Sequence, residues 1–478
     1  MLTYNLSNGE GPLYTRLYQH IKRDISNGTL TPGEKLPSRR ALAENMGVST
    51  VTVDNAYGQL LEEGYIYALP KKGYFVSQIS GSILFPEVKG KKKASSKLNF
   101  KKKTRNNITF DFSSNKPDAD SFPFSVWAKL TREAVSGHSD ELLKVSDYSG
   151  IYELRSAIAA HLSSFRGMSV DPDQIIVGAG TEYLYGLLIK LLGKDKKYCI
   201  ENPGYKKISQ IYETEGVSYY LGSMDEYGLL VSELDRSGAD IAHISPTHHF
   251  PTGITMPVPR RLELLSWASK DSSRYIIEDD YDSEFRHKGT PIPPLMTMDS
   301  FDKVIYINTF SKSLASTIRI AYMVLPPHLA QLFYDKLSFY SCTVSTFDQF
   351  TLASFIEKGY FEKHINRMRL QYGRKREQVL GIFEEVLGSE SKSSGYKIVE
   401  NDSGLHFILE LKTRYKDAEI EKQLLSKSIK ISAISDFYMD DFDAKLDAAS
   451  QGKFIIDYSN MNIALLPDAL KEIKKLMS

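Results

Sequence analysis

VIYINTFSKSLASTIRIAYMVL, residues 304–325, is two apolar runs separated by a polar, hydroxyl-rich segment. Val304 to Ile307 is apolar and β-branched, the pattern of a strand buried on both faces. Thr309, Ser311, Lys312 and Ser313 stand at its end, and Arg319 precedes the second run. In α/β chains ligands bind just beyond the carboxyl ends of such strands. A lysine amine held there can form a Schiff base with an aldehyde once its surroundings favour the neutral form. Arg319 and the hydroxyls of Thr309 and Ser311 suit a phosphate. Aldehyde and phosphate together point to pyridoxal phosphate. Taken singly, an S-K-S tripeptide is a surface lysine in a polar loop; the rest of the chain argues otherwise.

A chain of 478 residues holds roughly two to four domains. With 42% apolar and 25% charged residues it has an ordinary globular composition. Cys199 and Cys342 lie far apart, fit no metal spacing and form no disulfide framework, which predicts a reducing compartment. The opening MLTYNLSNGEGP lacks the basic-then-apolar pattern of an export signal. The apolar segment Ile175 to Leu192 contains Glu182 and Lys190, so no membrane span is predicted. The expected location is cytoplasmic. The formal net charge of +1 conceals an asymmetry: residues 1–110 carry 17 Lys and Arg against 8 Asp and Glu. A basic front on an acidic body predicts a nucleic-acid partner for the front.

That front reads as a helix-turn-helix with a wing, over residues 1–78. Leu13, Leu17, Ile21 and Ile25 recur at four-residue spacing, the mark of one helix face. Ser38 is placed to cap a second helix with Leu42 and Met46 inward, and Gly47 permits a tight turn. Ser49 then caps a third helix bearing Val53, Tyr57 and Leu60. Two strands follow, near Tyr65 to Ala68 and Tyr74 to Ser77, joined by Pro70-Lys71-Lys72-Gly73. Residues 79–109 contain nine Lys and Arg and no acid after Glu87. Such a segment is predicted to be a flexible linker that also attracts DNA without sequence preference.

From about residue 110 apolar runs alternate with helical patterns: Ile175–Val177, Tyr198–Glu201, Ile241–Ser245, Tyr275–Glu278 and Val304–Ile307. This predicts a mostly parallel, doubly wound sheet, with a smaller α+β lobe mainly from about 350 onward. Polar groups fall at the run ends. Gly178-Ala179-Gly180-Thr181 opens a helix whose N-terminus can meet a phosphate. Pro203-Gly204-Tyr205 offers a ring to a planar ligand. The acidic Glu278-Asp279-Asp280-Tyr281-Asp282 offers a carboxylate to a pyridinium N–H; taken by itself it is an acidic loop or helix cap.

The first 78 residues resemble the winged helix-turn-helix of the GntR superfamily, through LPSRRALAENMGVS and LLEEGYIY…GYFV. The resemblance implies that Arg39 and Arg40 approach phosphates or base edges. Ser49, Thr50 and Thr52 would begin the recognition helix, and Lys72 and Gly73 would reach the minor groove. Thr50 and Asp54 stand where that superfamily often has arginine, which implies more readout through phosphate contacts and shape. From about 110 to the end the chain resembles fold type I aminotransferases. That implies an internal aldimine on Lys312, Asp279 on the pyridine nitrogen, Tyr281 on the phenolic oxygen and Tyr205 stacked on the ring. Gly180, Thr181, Thr309 and Arg319 would hold the phosphate. Tyr148, in YSGIYELR, resembles the tyrosine that reaches a partner subunit's phosphate, which implies a homodimer. In HHFPTG, residues 248–253, Phe250 replaces the usual asparagine.

Head, basic linker and body in this order resemble the MocR family of regulators, including its γ-aminobutyrate-sensing members. Two arginines that clamp a carboxylate in those members correspond here to Asn460 and Lys207, so γ-aminobutyrate is not expected as the ligand. Three alternatives stand: Lys207 alone holds a carboxylate, the effector is an amine without one, or pyridoxal phosphate itself is the signal. The expected protein is a pyridoxal-phosphate-binding transcription regulator that binds promoter DNA and senses a small amino compound. A regulator of vitamin B6 synthesis, a working aminotransferase and a cofactor-free scaffold are the alternatives.

Overall fold

Leu17, Ile21 and Ile25 are buried on one side of α1 (Leu13–Ser26), as their spacing requires, while Leu13 in its first turn is exposed. The computed structural model describes residues 2–6, 11–78, 108–113, 121–286, 292–390, 395–399, 404–439 and 451–477. They fall into two compact units, Met1–Lys103 and Thr104–Ser478.

In the first unit Ser38 caps α2 (Arg39–Met46) by accepting from the Ala41 N–H, and α2 ends at Gly47 in the left-handed region, φ 64°. Ser49 caps α3 (Thr50–Glu62) by accepting from the Thr52 N–H. Each cap contributes about 1 kcal/mol. Val53, Ala56, Tyr57 and Leu60 of α3 share one core with α1. Strands β1 (Ile66–Leu69) and β2 (Gly73–Val76) pair antiparallel. The basic linker expected over 79–109 lies outside the described residues as far as Asn107.

The second unit starts with β3 (Phe110–Asp111). Its large sheet comprises β4 (Ile175–Gly178), β5 (Lys197–Asn202), β6 (Ser218–Asp225), β7 (Gly228–Leu229), β8 (Ile241–Ile244), β9 (Tyr275–Asp280), β10 (Val304–Thr309) and β11 (Ala321–Val324). Their order is β4-β11-β10-β9-β8-β5-β6-β7. The succession β10, β9, β8, β5, β6 is parallel, whereas β7 and β11 run antiparallel to their neighbours. Alternation along β10 shows why its residues are apolar. Ile305 and Ile307 pack under the helices Thr181–Leu192 and Pro327–Leu337, while Val304 and Tyr306 face the opposite layer. The Thr181–Leu192 helix is apolar nearly all round because it is buried nearly all round. Among the described residues no helix is long and apolar enough to cross a membrane.

The acidic segment after Ile277 is not a loop or cap. β9 continues through Glu278, Asp279 and Asp280, all buried, because each carboxylate finds a place at the sheet's edge.

The smaller lobe is a sheet of β12 (Tyr396–Val399), β13 (His406–Leu411), β15 (Ser432–Ala433) and β16 (Lys453–Asp457), in the order β12-β13-β16-β15. It packs on the helices Tyr360–Leu387 and Leu466–Lys474. The start of the body also belongs to this lobe. β3 pairs in parallel with β14 (Ile429–Lys430), the Asp457 N–H donates to Phe112 O at 2.7 Å, and the Phe112 ring is fully buried in the lobe's core. Two residues of strand carry no periodic signal, so sequence pattern could not show this. Phe112→Ala is expected to destabilise the lobe by about 3–5 kcal/mol, read as a lower unfolding midpoint of the body in denaturant. An unchanged midpoint would mean that residues 110–112 do not hold the lobe.

Candidate functional site

The parallel strands end at one cavity, lined among others by Thr181, Glu201, Tyr205, Asp279, Tyr281, Thr309, Ser311, Lys312 and Arg319. Strand alternation sorts the three acids of β9. Glu278 accepts from the Leu295 and Met296 N–H groups at 2.7 and 3.0 Å. Asp280 meets Arg166 at 2.5 Å and accepts from the Tyr306 hydroxyl at 2.7 Å. Asp279, pointing the other way, faces the cavity. Its Oδ2 accepts from the Tyr185 hydroxyl at 2.6 Å, and His243 Nε2 lies 4.0 Å away. Its buried Oδ1 has no hydrogen-bond partner among the described residues. Burial pushes Asp279 up to about 6, an effect that the Tyr185 bond opposes.

Lys312 follows β10 on the cavity wall. Burial lowers its pKa against the opposing pull of Asp457 and Asp282, which raises the fraction of neutral, nucleophilic amine. Thr309 Oγ1 donates to Ser311 Oγ at 3.0 Å and accepts from the Ser311 N–H at 3.1 Å, so the turn holds both hydroxyls together. Gly180, φ 93°, caps the Thr181–Leu192 helix, and a Cβ there would overlap the Arg319 guanidinium. Helix N-terminus, two hydroxyls and guanidinium thus converge on one spot suited to a phosphate. Tyr281 Oη lies 3.3 Å from His248 Nδ1, which is 2.8 Å from Asp282 Oδ2. Tyr205 is half exposed, with its ring edge-on to Phe250 at 6.3 Å.

Not every expected residue comes to this cavity. Lys207 lines it and is ion-paired with Glu182, which also meets Arg319 at 3.5 Å. Asn460 is exposed and does not line it. Tyr148 packs against Phe333 and Tyr334, away from the lining of its own chain's cavity. Sequence reasoning passed over Tyr185, His243, Glu201 and His249. Tyr185 sits inside an apolar helix and Glu201 ends an apolar strand, so a polar residue amid apolar ones was the available signal.

In the first unit Arg39, Arg40, Thr50, Lys72 and Gly73 are exposed. Ser49 and Thr52 are occupied with the cap, their hydroxyls 2.8 Å apart. Arg39 is ion-paired with Asp54 across the helix-turn-helix and lies 5.8 Å from the Tyr74 ring centroid.

Residues 13–76 match the family model of bacterial regulatory proteins, gntR family, and residues 107–472 match aminotransferase class I and II. The HTH-type transcriptional regulator YdeL of Bacillus subtilis is 34% identical, over 89% of this chain and 89% of its own. The probable rhizopine catabolism regulatory protein MocR of Rhizobium meliloti is 28% identical, over 89% of this chain and 87% of its own. The HTH-type pyridoxine biosynthesis transcriptional regulator PdxR of Corynebacterium glutamicum is 30% identical, over 89% and 88%. The body shares its fold with a multiple substrate aminotransferase from Thermococcus profundus, at TM-score 0.66 and 23% identity, over 78% of this chain and 91% of that one.

Asp54→Asn should free Arg39 for one more phosphate. The plot of log affinity against log salt is then expected to steepen by about 0.9 for duplex DNA of any sequence, measured by fluorescence anisotropy. An unchanged slope would mean that Arg39 meets no phosphate.

Proposed function

Because the chain belongs to the MocR family of GntR-type transcription regulators, we propose that its body holds pyridoxal phosphate at Lys312 and senses a small amino compound. It is a DNA-binding regulator with an aminotransferase-like domain. In this reading residues 1–78 bind promoter DNA, 79–109 connect, and 110–478 form the sensor of a homodimer.

One observation carries the cofactor assignment: Asp279 Oδ1, buried and without a partner among the described residues, faces the same cavity as Lys312. A protonated ring nitrogen is the donor that such an oxygen lacks. Pyridoxal phosphate, when bound, supplies an aldehyde that condenses with a lysine amine. The chain's own groups do the rest. Lys312 provides the amine, and Asp279 holds the proton on the ring nitrogen. Tyr281 would hold the phenolic oxygen, and Tyr205 would hold the ring. Gly180, Thr181, Thr309, Ser311 and Arg319 bind the phosphate, with Tyr148 contributed across the dimer. Lys207, on the cavity wall, stands for an effector contact, whereas Asn460 lies off the cavity lining.

A route to the rest of the molecule supports sensing. The Gly204 N–H donates to Phe437 O at 3.1 Å, and the Met439 N–H to Asn202 Oδ1 at 3.1 Å. The loop that carries Tyr205 is thus bonded to the smaller lobe. A ligand that prefers one setting of this contact shifts the population of body conformations. A second reading, that the cofactor is itself the signal, is favoured by the 30% identity to a regulator named for pyridoxine biosynthesis.

Adding pyridoxal phosphate is expected to produce a near-visible absorbance band that Lys312→Ala abolishes, and Asp279→Asn should weaken cofactor binding by about 10- to 100-fold. A panel of amino compounds should then contain one that changes both the spectrum and promoter affinity. Promoter affinity that responds to the cofactor and to no compound selects the second reading; affinity indifferent to both would sink the proposal.

A further inference from the structure

Two carboxylates in the cavity wall are buried with no lysine or arginine against them among the described residues. Asp279 is one, and the ring nitrogen answers it in the reading above. Glu201, at the end of β5 and 7% exposed, is the other. Its Oε2 accepts from the Ser245 N–H at 2.9 Å, and His249 Nε2 lies 3.5 Å from the same oxygen. His249 Nδ1 is 2.7 Å from Thr252 Oγ1, which fixes the ring. Burial pushes His249 down to about 3, so it brings no positive charge. Asp279, which also acts on Glu201, only adds repulsion.

A buried carboxylate without a counter-charge is costly, and the site lowers that cost by holding a proton or by taking a cation. Burial raises Glu201 to about 8, so without a ligand it holds the proton. A cationic ligand group would replace it. The rings of Tyr205 and Phe250 line the same cavity as the carboxylate, with centroids 6.3 Å apart, and Phe437 packs on Phe250 at 5.2 Å. Carboxylate and aromatic faces together recognise an ammonium. Of the wall's cations, Lys312 and Arg319 serve the cofactor in the reading above, and Lys207 is ion-paired with Glu182, so little is left for an anionic group of the effector.

We propose that Glu201, in the cavity wall that Tyr205 and Phe250 also line, is the subsite for a second cationic group on the effector, which makes the effector a diamine rather than an amino acid. The inference rests on the reading that the cavity holds pyridoxal phosphate at Lys312. Phe250, which lines the cavity and packs on Phe437, ties occupancy of this subsite to the contact between Gly204 and the smaller lobe.

The test titrates the full-length, cofactor-loaded protein with 1,4-diaminobutane, n-butylamine and 4-aminobutanoate, following the cofactor absorbance. The diamine is expected to act at a concentration about tenfold or more below the other two, the gain of one charge-assisted hydrogen bond. Glu201→Gln should erase that preference, and Glu201→Asp, which keeps the charge, should retain part of it. Equal or better action by 4-aminobutanoate overturns the inference, as does an order of preference that survives Glu201→Gln. A Lys312-dependent band that no compound alters defeats the diamine subsite and leaves the cofactor reading standing; absence of the band defeats both.

Discussion

A charge buried at the end of a sheet must be answered, and the body is arranged around those answers. β9 puts Glu278, Asp279 and Asp280 in a row inside the protein. Two of them are satisfied within the fold, by backbone N–H groups of residues 295–296 and by Arg166 with Tyr306. These are structural bonds: removing one partner of such a buried pair leaves an uncompensated charge, at a cost of about 3–5 kcal/mol. The middle acid lies on the opposite face and is left incomplete. The same alternation that buries the strand therefore creates the site.

Around that incomplete acid the other polar groups arrive from separate loops, each following a strand. Thr181 comes after β4, Tyr205 after β5, Ser245 and His249 after β8, Tyr281 after β9, and Ser311 and Lys312 after β10. Parallel strands put all these loops at one edge, which is why residues more than a hundred positions apart line one cavity. The smaller lobe meets this edge through Phe437 and Met439. Its core is anchored at the other end of the body's sequence by Phe110 and Phe112. The lobe is thus built from both ends of the body, and residues 110–112, the described start of the body, bear directly on it.

Much of this was legible in advance where a physical rule acts over a few residues. Ser38, Gly47 and Ser49 marked the helix-turn-helix because capping and a left-handed turn are local demands. Val304 to Ile307 marked a central strand because a strand covered on both faces has no polar side. The strand β6, SYYLGSMD, next to the short edge strand β7, partly buried and mixed in polarity, gave no such signal. β11 was visible as an apolar run, yet its antiparallel direction depends on partners far away in sequence. Phe250, noted as a departure from the usual asparagine, acquires neighbours only in three dimensions, where Tyr205, His406 and Phe437 surround it.

The amino-acid sequence by itself determined the two-part construction, the strand-then-helix order of the body, and the chemistry that Lys312 and its hydroxyl neighbours can perform. Those follow from periodicity, caps and side-chain type, all of which act locally. Tertiary structure decided which charges are spent and which stay available. Lys207 is paired with Glu182, Arg39 is taken by Asp54, and Arg166 is consumed by Asp280. Asp279 and Glu201 face the cavity with no lysine or arginine against them among the described residues. Whether a charge is answered depends on distance and burial, and both are set by elements that only the folded chain brings together.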